Sequence, residues 1–289
     1  MRQRLISAAV LVPVVVVLFM LGDPWLTFGV AAAAGAAAYE TSRLVTAAGL
    51  RSDAWFAGVA AVVAVVGARM SSDDFFFPGA YPAAVNVLEF VALVILAAGL
   101  IGLRHSQPRT GFLSWAGNIV AALYPSLLAF VALLLTAGPW IPDSALLSNT
   151  IDPGRIWILI LVLTVWGLDS AAYISGRFVP RGHFMNHISP KKTWSGVVGG
   201  TAAALLICTY LVWAAGQPPF LGIILGAVIA VAAQAGDLAE SMLKRAAGVK
   251  DSGAWIPGHG GILDRLDSFL FAAPALVIAL SVLKGLLRT

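Results

Sequence analysis

The sequence predicts an all-α, polytopic membrane protein with about nine transmembrane helices. Of its 289 residues, 60% are apolar and only 11% are charged, whereas soluble domains carry roughly 25% charged residues. A soluble protein of this composition would expose large apolar patches and aggregate, and disordered chains are poor in apolar residues. The single cysteine, Cys208, excludes a disulfide framework. At about 20 residues per span, nine spans would occupy roughly 180 residues.

Nine apolar stretches are long and continuous enough to be helices rather than alternating strands. They cover residues 5–22, 26–47, 54–70, 83–103, 112–137, 155–177, 196–215, 219–236 and 266–286. The first follows Arg2 and Arg4 and lacks a small-x-small cleavage site before Gly22, so we expect a retained span rather than a signal peptide. We expect one integral domain, with about five spans in residues 1–150 and about four in residues 151–289.

The basic residues are distributed unequally between the two sides of these spans. If successive spans alternate in direction, all but four of the 18 Lys and Arg residues fall on one side. The exceptions are Arg69, Arg155, Lys284 and Arg288. The positive-inside rule places the basic side and the N-terminus in the cytoplasm, so the cytoplasmic face is expected to meet anionic ligands or lipid headgroups. We expect the protein to lie in a bacterial-type cytoplasmic (inner) membrane. Nucleic acid binding is not expected of a chain without a soluble domain.

The first polar segment on the basic side covers residues 169–196 and includes the predicted cytoplasmic loop 178–195. Within it, Lys191 and Lys192 follow a proline and have no acid near them in the sequence. They could bind a triphosphate or a lipid phosphate as point charges, although an ordinary cytoplasmic loop would also contain lysines. Asp169 lies inside the sixth span, where an ionisable side chain is costly and indicates function.

The second polar segment runs from Gln234 to Ser268 and includes the predicted loop 237–265. Asp264 and Asp267 lie three residues apart and therefore on one side of a helix. Two neighbouring carboxylates repel each other unless a cation lies between them, and Mg²⁺ binds few protein carboxylates together with water and phosphates. An ordinary Asp cap at a helix start is the alternative.

Cations and glycines accompany these carboxylates in the second segment. Its glycines allow backbone N–H groups to approach a phosphate closely. The basic residues and the glycine-flanked histidine are Lys244, Arg245, Lys250, His259, Gly260, Gly261 and Arg265. This combination favours metal-assisted phosphoryl or nucleotidyl transfer at the cytoplasmic face, near the C-terminal spans.

Two further acids, Glu40 and Glu89, lie inside the second and fourth predicted spans. We expect partial burial and structural hydrogen bonding for both, because an isolated charge in the membrane is costly. A lipid-headgroup cavity or a proton path remains an alternative for them.

The second segment resembles the signature of the phosphatidate cytidylyltransferases, also called CDP-diacylglycerol synthases. The resemblance rests on Ser241-Met-Leu-Lys-Arg, on Lys250-Asp-Ser-Gly, and on Ile256-Pro-Gly-His-Gly-Gly-Ile-Leu-Asp-Arg-Leu-Asp267. Asp169 with Ala172-Tyr173 and Gly176-Arg177, and the run Ser189-Pro-Lys-Lys-Thr193, resemble a second region of that family. The chain departs from the family at Ser195, where Glu is usual, and at Ala171, where Gly is common.

The resemblance implies that CMP is transferred from CTP to phosphatidate, which yields CDP-diacylglycerol and pyrophosphate in phospholipid biosynthesis. For this reaction we expect Asp237, Asp264 and Asp267 to bind Mg²⁺, with Asp251 as a weaker candidate, and we expect Lys244 and Arg265 to act with them in catalysis. The implied substrate-binding residues are Asp169, Tyr173, Ser189, Lys191, Lys192, Thr193, Arg245, Lys250, Asp251, His259, Gly260 and Gly261. CTP, phosphatidate and membrane lipids are the implied partners, and a second ion and a homodimer stay open.

Two other functions remain open on the sequence alone. The first is a CTP-dependent enzyme that acts on another lipid, such as a polyprenol kinase or an ether-lipid cytidylyltransferase. The second is an ion-coupled transporter that uses Glu40, Glu89 and Asp169 as an ion path. Transporters often contain internal repeats and mid-membrane sites, whereas the polar residues here concentrate at one face.

Overall fold

The computed structural model describes residues 2–70, 83–135, 141–142, 145–148, 150–179, 182–258 and 260–287. In these ranges the regular structure is helical and contains no strand, which confirms the predicted all-α class. The helices are α1 (Arg2–Leu21), α2 (Trp25–Ala47), α3 (Ala54–Met70), α4 (Ala83–Gly102), α5 (Pro108–Ser126), α6 (Ala129–Leu134), α7 (Pro153–Phe178), α8 (Trp194–Ala214), α9 (Pro219–Ala246) and α10 (Leu263–Leu287).

Several of these helices are suited to a lipid environment. Among the described residues, five segments are long and apolar enough to cross a membrane: Pro108–Leu134, Pro153–Phe178, Trp194–Ala214, Pro219–Ala246 and Leu263–Leu283. Leu11–Leu21, Ala54–Met70 and Val87–Gly102 are shorter apolar helices. The protein is therefore an integral membrane protein, while nine crossings and a cytoplasmic N-terminus stay predictions.

The fifth predicted span, residues 112–137, is not one continuous helix. It divides into α5 and α6, and Pro125 lies in the last turn of α5. A proline lacks the N–H that continues the ladder and clashes with the carbonyl group four residues before it. The N–H groups of Leu127 and Leu128 donate instead to carbonyl groups three residues back, at 3.3 and 3.1 Å.

The predicted loop 237–265 is shorter in the structure than in the sequence prediction. The helix of the eighth span continues past residue 236 to Ala246, and α10 begins at Leu263. We call the connection between them, residues 247–262, the glycine loop. The helical extension places Asp237, Glu240 and Lys244 on one helix, at a spacing of three and four residues that puts them on one face. The other predicted loop, 178–195, agrees with the interval between α7 and α8.

The chain groups into two compact units, each of which is described by itself. Unit 1 contains Met1–Ala132 and Met242–Leu266, and unit 2 contains Leu133–Ser241 and Asp267–Thr289. Helices α9 and α10 each contribute residues to both units. The division into residues 1–150 and 151–289 stays a prediction.

Small side chains hold the helices of unit 1 close together. Ala34, Ala37, Ala57 and Ala61 are completely buried on α2 and α3. Because small residues let helix backbones approach closely, they are the usual contact residues of membrane helices. Glu40 lies near the end of α2 that is predicted to face the cytoplasm. In unit 1 this helix packs tightly against α3.

Unit 2 packs α7 against α8 in the same way. A Cβ atom added at Gly199 would lie 2.2 Å from the Ser175 Oγ, and one at Gly200 would lie 3.0 Å from the carbonyl oxygen of Leu168. Thr193 caps α8, because its hydroxyl accepts the N–H of Gly196 at 3.1 Å. The close packing and the cap fix the end of the 178–195 loop that carries Lys192.

Candidate functional site

Asp264 organises the glycine loop of unit 1. Its Oδ2 accepts hydrogen bonds from the backbone N–H of Ser252 at 2.8 Å, from the Ser252 hydroxyl at 2.9 Å and from the N–H of Gly261 at 2.8 Å. The loop also closes on itself, because the N–H of Ile256 donates to the carbonyl oxygen of Gly260 at 3.0 Å. One carboxylate at the start of α10 therefore holds the Ser252 and Gly261 parts of the loop together.

Lys244 forms an ion pair with the other oxygen of Asp264. The ammonium nitrogen lies 2.6 Å from Oδ1, and the two side chains are only 11% and 6% exposed. A carboxylate offers about four lone-pair sites, and Asp264 accepts four contacts in this arrangement. The structure thus pairs Lys244, a predicted catalytic cation, with Asp264, a predicted metal ligand, and the metal role of Asp264 stays a prediction.

Glu40 is a second carboxylate on the glycine loop, although it lies on α2. It accepts the Ser252 hydroxyl at 2.9 Å, the N–H of Ile262 at 3.1 Å and the N–H of Leu263 at 2.8 Å. Its side chain is 1% exposed. The predicted burial and hydrogen bonding are therefore confirmed for Glu40, whereas Glu89 is exposed on α4, so the predicted burial is wrong there.

Unit 2 contains the other ion pair of the predicted site. The Lys192 ammonium lies 2.6 Å from Asp237 Oδ2, and the side chains are 23% and 33% exposed. The Ser241 hydroxyl faces the other oxygen of Asp237 at 3.5 Å. The structure thus brings the predicted phosphate-binding lysine onto a predicted metal-binding carboxylate, in a position that solvent reaches.

Asp267 lies where α9 and α10 approach each other in unit 2. A Cβ atom at Gly236 would be 2.5 Å from the carbonyl oxygen of Asp267, so only a glycine permits this approach. Asp237 follows Gly236 directly, and the backbones that carry Asp237 and Asp267 are therefore neighbours. The Oδ1 of Asp267 also accepts the N–H of Ser268 at 2.6 Å.

The remaining predicted site residues lie mainly at the surface. Arg245 donates to the carbonyl oxygen of Val249 at 2.9 Å, and the Tyr173 hydroxyl accepts from Arg177 at 2.8 Å. The exposed predicted residues are Asp169, Tyr173, Lys191, Arg245, Lys250, Asp251 and Arg265, while Ser189 and Thr193 are half-buried. His259 lies outside the described residues.

The described side chains include no group of three or more His, Cys, Asp or Glu residues that could by itself enclose a metal ion. Mg²⁺ does not require such a group, because it commonly binds one or two carboxylates and completes its shell with water and phosphate oxygens. What the structure offers instead is two lysine–aspartate ion pairs, several exposed cations and an ordered glycine loop. Such a set suits the binding and charge neutralisation of phosphate groups.

Sequence reasoning did not include Glu40 or Ser252 among the site residues. The signal for Glu40 was weak: it is an isolated acid in an alanine-rich helix, more than 200 residues before the loop in the chain. Ser252 could have been noticed as the hydroxyl-bearing neighbour of Gly253, because small polar residues beside glycines often order loops.

Comparison with known proteins gives the same family as the motifs. A sequence profile of the Cytidylyltransferase family matches residues 2–283. This match extends over nearly the whole chain and includes all the residues of the glycine loop and of both ion pairs. The chain therefore belongs to the cytidylyltransferase family.

Individual bacterial relatives are similar over shorter segments. A phosphatidate cytidylyltransferase of Synechocystis is 41% identical over 155 residues, which cover 52% of this chain and 52% of the relative. Those of Bacillus subtilis and Haemophilus influenzae are 41% and 42% identical over 137 and 133 residues, and these alignments cover 51% and 46% of the relatives. The chain thus spans about half the length of the curated relatives it matches.

Proposed function

We propose that the chain transfers the cytidylyl group of CTP to phosphatidate and so forms CDP-diacylglycerol and pyrophosphate in phospholipid biosynthesis. Membership of the cytidylyltransferase family supports this reaction, and relatives named phosphatidate cytidylyltransferase support the choice of acceptor. The observation that carries the proposal is the glycine loop folded on the Lys244–Asp264 pair, since this is the segment whose motif resembles the family.

The proposed chemistry is a single displacement at phosphorus. A phosphate oxygen of phosphatidate bonds to the α-phosphorus of CTP, and the bond from that phosphorus to the bridging β-phosphate oxygen breaks. Pyrophosphate leaves with the electron pair of the broken bond. No protein nucleophile is required, so the residues contribute mainly by positioning the two substrates and neutralising their charge.

The cations of the two segments divide into paired and exposed groups. Lys192 and Lys244 are held by Asp237 and Asp264, whereas Lys191 and Lys250 are exposed. We assign the binding of the triphosphate and of the lipid phosphate to these lysines together with Arg245 and Arg265. Point charges of this kind suit phosphate groups, and Lys192 is the paired cation that solvent reaches.

The carboxylates of unit 2 fit a divalent cation. Asp237 already holds a positive group, the Lys192 ammonium, at 2.6 Å, and Asp267 belongs to the neighbouring backbone. Oxygen ligands of this type are those that Mg²⁺ prefers. We propose Asp237 and Asp267 as its protein ligands, and the bound ion would supply positive charge for the phosphates of CTP.

We further propose that the reaction takes place at the cytoplasmic face of a bacterial inner membrane. The unequal distribution of Lys and Arg supports this orientation. CTP is a charged, water-soluble substrate, whereas phosphatidate lies in the membrane. An active site at the cytoplasmic surface is accessible to both.

The test uses purified protein in detergent with phosphatidate and CTP that carries a label on either the α- or the γ-phosphorus. We expect the α label and the cytidine in the lipid product and the γ label in pyrophosphate. Lipid that carries the γ label without cytidine would identify a CTP-dependent lipid kinase instead. Cytidine transfer to a polyprenol phosphate or an ether lipid in preference to phosphatidate would contradict the proposed acceptor.

A further inference from the structure

Glu40 is a fully buried acidic residue of unit 1. It is 1% exposed and lies on α2 among the buried residues Ala37, Ala38 and Leu44. Burying a charged carboxylate costs a great deal of free energy unless hydrogen bonds replace its water. The partners of this side chain therefore indicate what the protein gains by placing an acid there.

The three donors to Glu40 all come from the glycine loop and its junction with α10. Oε1 accepts the N–H of Ile262, and Oε2 accepts the Ser252 hydroxyl and the N–H of Leu263. Leu263 is the first residue of α10, and the N–H groups of a first helical turn have no partner within the helix. Glu40 thus satisfies donors that the loop and the helix start cannot satisfy themselves.

The loop sequence is adapted to this carboxylate. A Cβ atom at Gly253 would lie 2.3 Å from Glu40 Oε1, and a Cβ atom at Gly261 would lie 2.3 Å from Oε2. Any other residue at either position would displace the carboxylate or the loop. The two glycines therefore admit Glu40 as a buried partner of the loop.

Ser252 connects Glu40 to the ion pair on the other side of the loop. Its hydroxyl oxygen lies 2.9 Å from Glu40 Oε2 and 2.9 Å from Asp264 Oδ2. One hydroxyl proton thus faces two carboxylates, and Asp264 in turn holds Lys244 at 2.6 Å. A displacement of Glu40 would reach Asp264 and Lys244 through a single side chain.

A second contact joins the same two elements at the surface. The rings of Tyr39 and Trp255 lie 5.9 Å apart, and both side chains are partly exposed. Tyr39 precedes Glu40 on α2, and Trp255 belongs to the glycine loop. Helix α2 therefore contacts the loop both inside unit 1 and at its surface.

We propose that Glu40 is a positioning residue for the cytidylyl transfer. It fixes the glycine loop on α2 and, through Ser252, fixes the orientation of Asp264 and Lys244. This inference rests on the proposed function for its effect on catalysis, and it adds a residue from the N-terminal half of the chain to a site that the motifs confine to the C-terminal half.

The variant Glu40→Gln tests the proposal with little change of shape. In either orientation of the Gln amide, its NH₂ group faces a backbone N–H, that of Ile262 or that of Leu263. The loop must then move away from α2. Glu89→Gln is the matched control, because it makes the same change at an exposed acid on α4 of the same unit.

Two readouts separate positioning from folding. We expect kcat for CDP-diacylglycerol formation to fall about 10²-fold in Glu40→Gln, with the KM for phosphatidate unchanged. We also expect faster hydrogen exchange in peptides covering residues 250–263, with unchanged exchange in α3 and α5 and a thermal midpoint close to that of the wild type. Glu89→Gln is expected to behave as the wild type in both measurements.

Three results would overturn the proposal: normal kcat in Glu40→Gln, unchanged exchange of the loop, or loss of protection throughout unit 1 together with a lower thermal midpoint. If Glu40→Gln does not insert or fold, Ser252→Ala replaces it, because this variant removes the connecting hydroxyl and keeps the backbone N–H. In that case a loop that exchanges faster supports the proposal and an unchanged loop contradicts it.

The exchange measurement keeps this proposal separate from the proposed function. It is made without substrates, so it shows whether Glu40 orders the glycine loop, whether or not the protein uses CTP. A wild-type protein that forms no CDP-diacylglycerol would refute the proposed function. A fully active wild type with an equally active Glu40→Gln variant would refute only the positioning role.

Discussion

Leu263 lies 223 residues after Glu40 in the chain, yet its N–H donates to the Glu40 carboxylate at 2.8 Å. This hydrogen bond joins the first residue of α10 to the second helix of the protein. The segment that carries the family motif is thus ordered in part by a helix whose sequence carries no recognisable motif. Variants of the glycine loop, of the two ion pairs and of the carboxylates of α10 can test what these contacts contribute to the reaction.

Gly261→Ala should disrupt the glycine loop directly. The added Cβ atom would lie 2.1 Å from the Ser252 Oγ and 2.3 Å from Glu40 Oε2, so the loop has to shift. We expect about a 10²-fold lower rate of CDP-diacylglycerol formation. Gly67→Ala is the control, because nothing lies within 4 Å of its added Cβ atom. Equal rates for the two variants would show that the loop geometry does not matter for turnover.

Lys192→Gln should weaken the use of CTP. The variant removes the cation that Asp237 holds at 2.6 Å, and with it one positive charge for the phosphates. We expect kcat/KM for CTP to fall about 10²-fold, as measured by steady-state kinetics at saturating phosphatidate. Arg109→Gln loses the same charge at an exposed position of α5 and should retain normal kinetics. If the loss of one positive charge anywhere on the protein were enough, kcat/KM for CTP would fall equally in both variants.

Removal of divalent cations should abolish the reaction. We expect no turnover with excess chelator and full recovery on addition of Mg²⁺. Asp237→Asn should need a higher Mg²⁺ concentration for half-maximal rate, because it removes a charged oxygen ligand. Turnover that persists in chelator would contradict the metal proposal, and an unchanged Mg²⁺ requirement in Asp237→Asn would remove Asp237 from the ligand set.

The orientation can be tested with single cysteines in a Cys208→Ala background. Asn186→Cys lies in the exposed loop between α7 and α8, and Leu146→Cys is exposed before α7. The positive-inside rule predicts that an impermeant maleimide labels Asn186→Cys only from the cytoplasmic side and Leu146→Cys only from outside. The reverse pattern would place both lysine-bearing segments away from cytosolic CTP and would contradict the proposed function as well.

The sequence predicted the helices and the family well because both depend on local patterns. Long apolar runs define helices such as α7 and α8, and the run from Ser241 to Asp267 carries the family motif in one segment. The break between α5 and α6 was missed, because an apolar run conceals the local effect of Pro125. The predicted loop 237–265 begins too early, because the polar residues after position 236 continue α9 to Ala246.

The contacts within the site could not be predicted in the same way. Nothing in the spacing of Lys244 and Asp264 requires them to pair, since each also fits a separate role toward phosphate or metal. The role of Glu40 depends on a contact across more than 200 residues, which no local pattern encodes. Such contacts follow from the packing of helices and not from the periodicity of one segment.

The last prediction separates the two carboxylates of α10. Asp264 is 6% exposed and paired with Lys244, so Asp264→Asn leaves a buried ammonium group without its counter-ion. Breaking a buried pair in this way typically costs about 3–5 kcal/mol of folding stability. We expect Asp264→Asn to lower the thermal midpoint and to lose activity. Asp267 accepts a local N–H, a bond that Asn can also accept, so Asp267→Asn should fold normally.

The activity of Asp267→Asn is therefore the sharper measurement. If Asp267 binds the metal ion, loss of its charge should reduce the rate of CDP-diacylglycerol formation about 10²–10³-fold, with normal gel filtration in detergent. Asp152→Asn is the matched control, because Asp152 caps α7 through the N–H of Gly154 at 2.9 Å and Asn caps a helix about as well as Asp. Near-normal turnover in Asp267→Asn would show that Asp267, like Asp152, acts only at the start of its helix. It would also remove Asp267 from the proposed metal ligands.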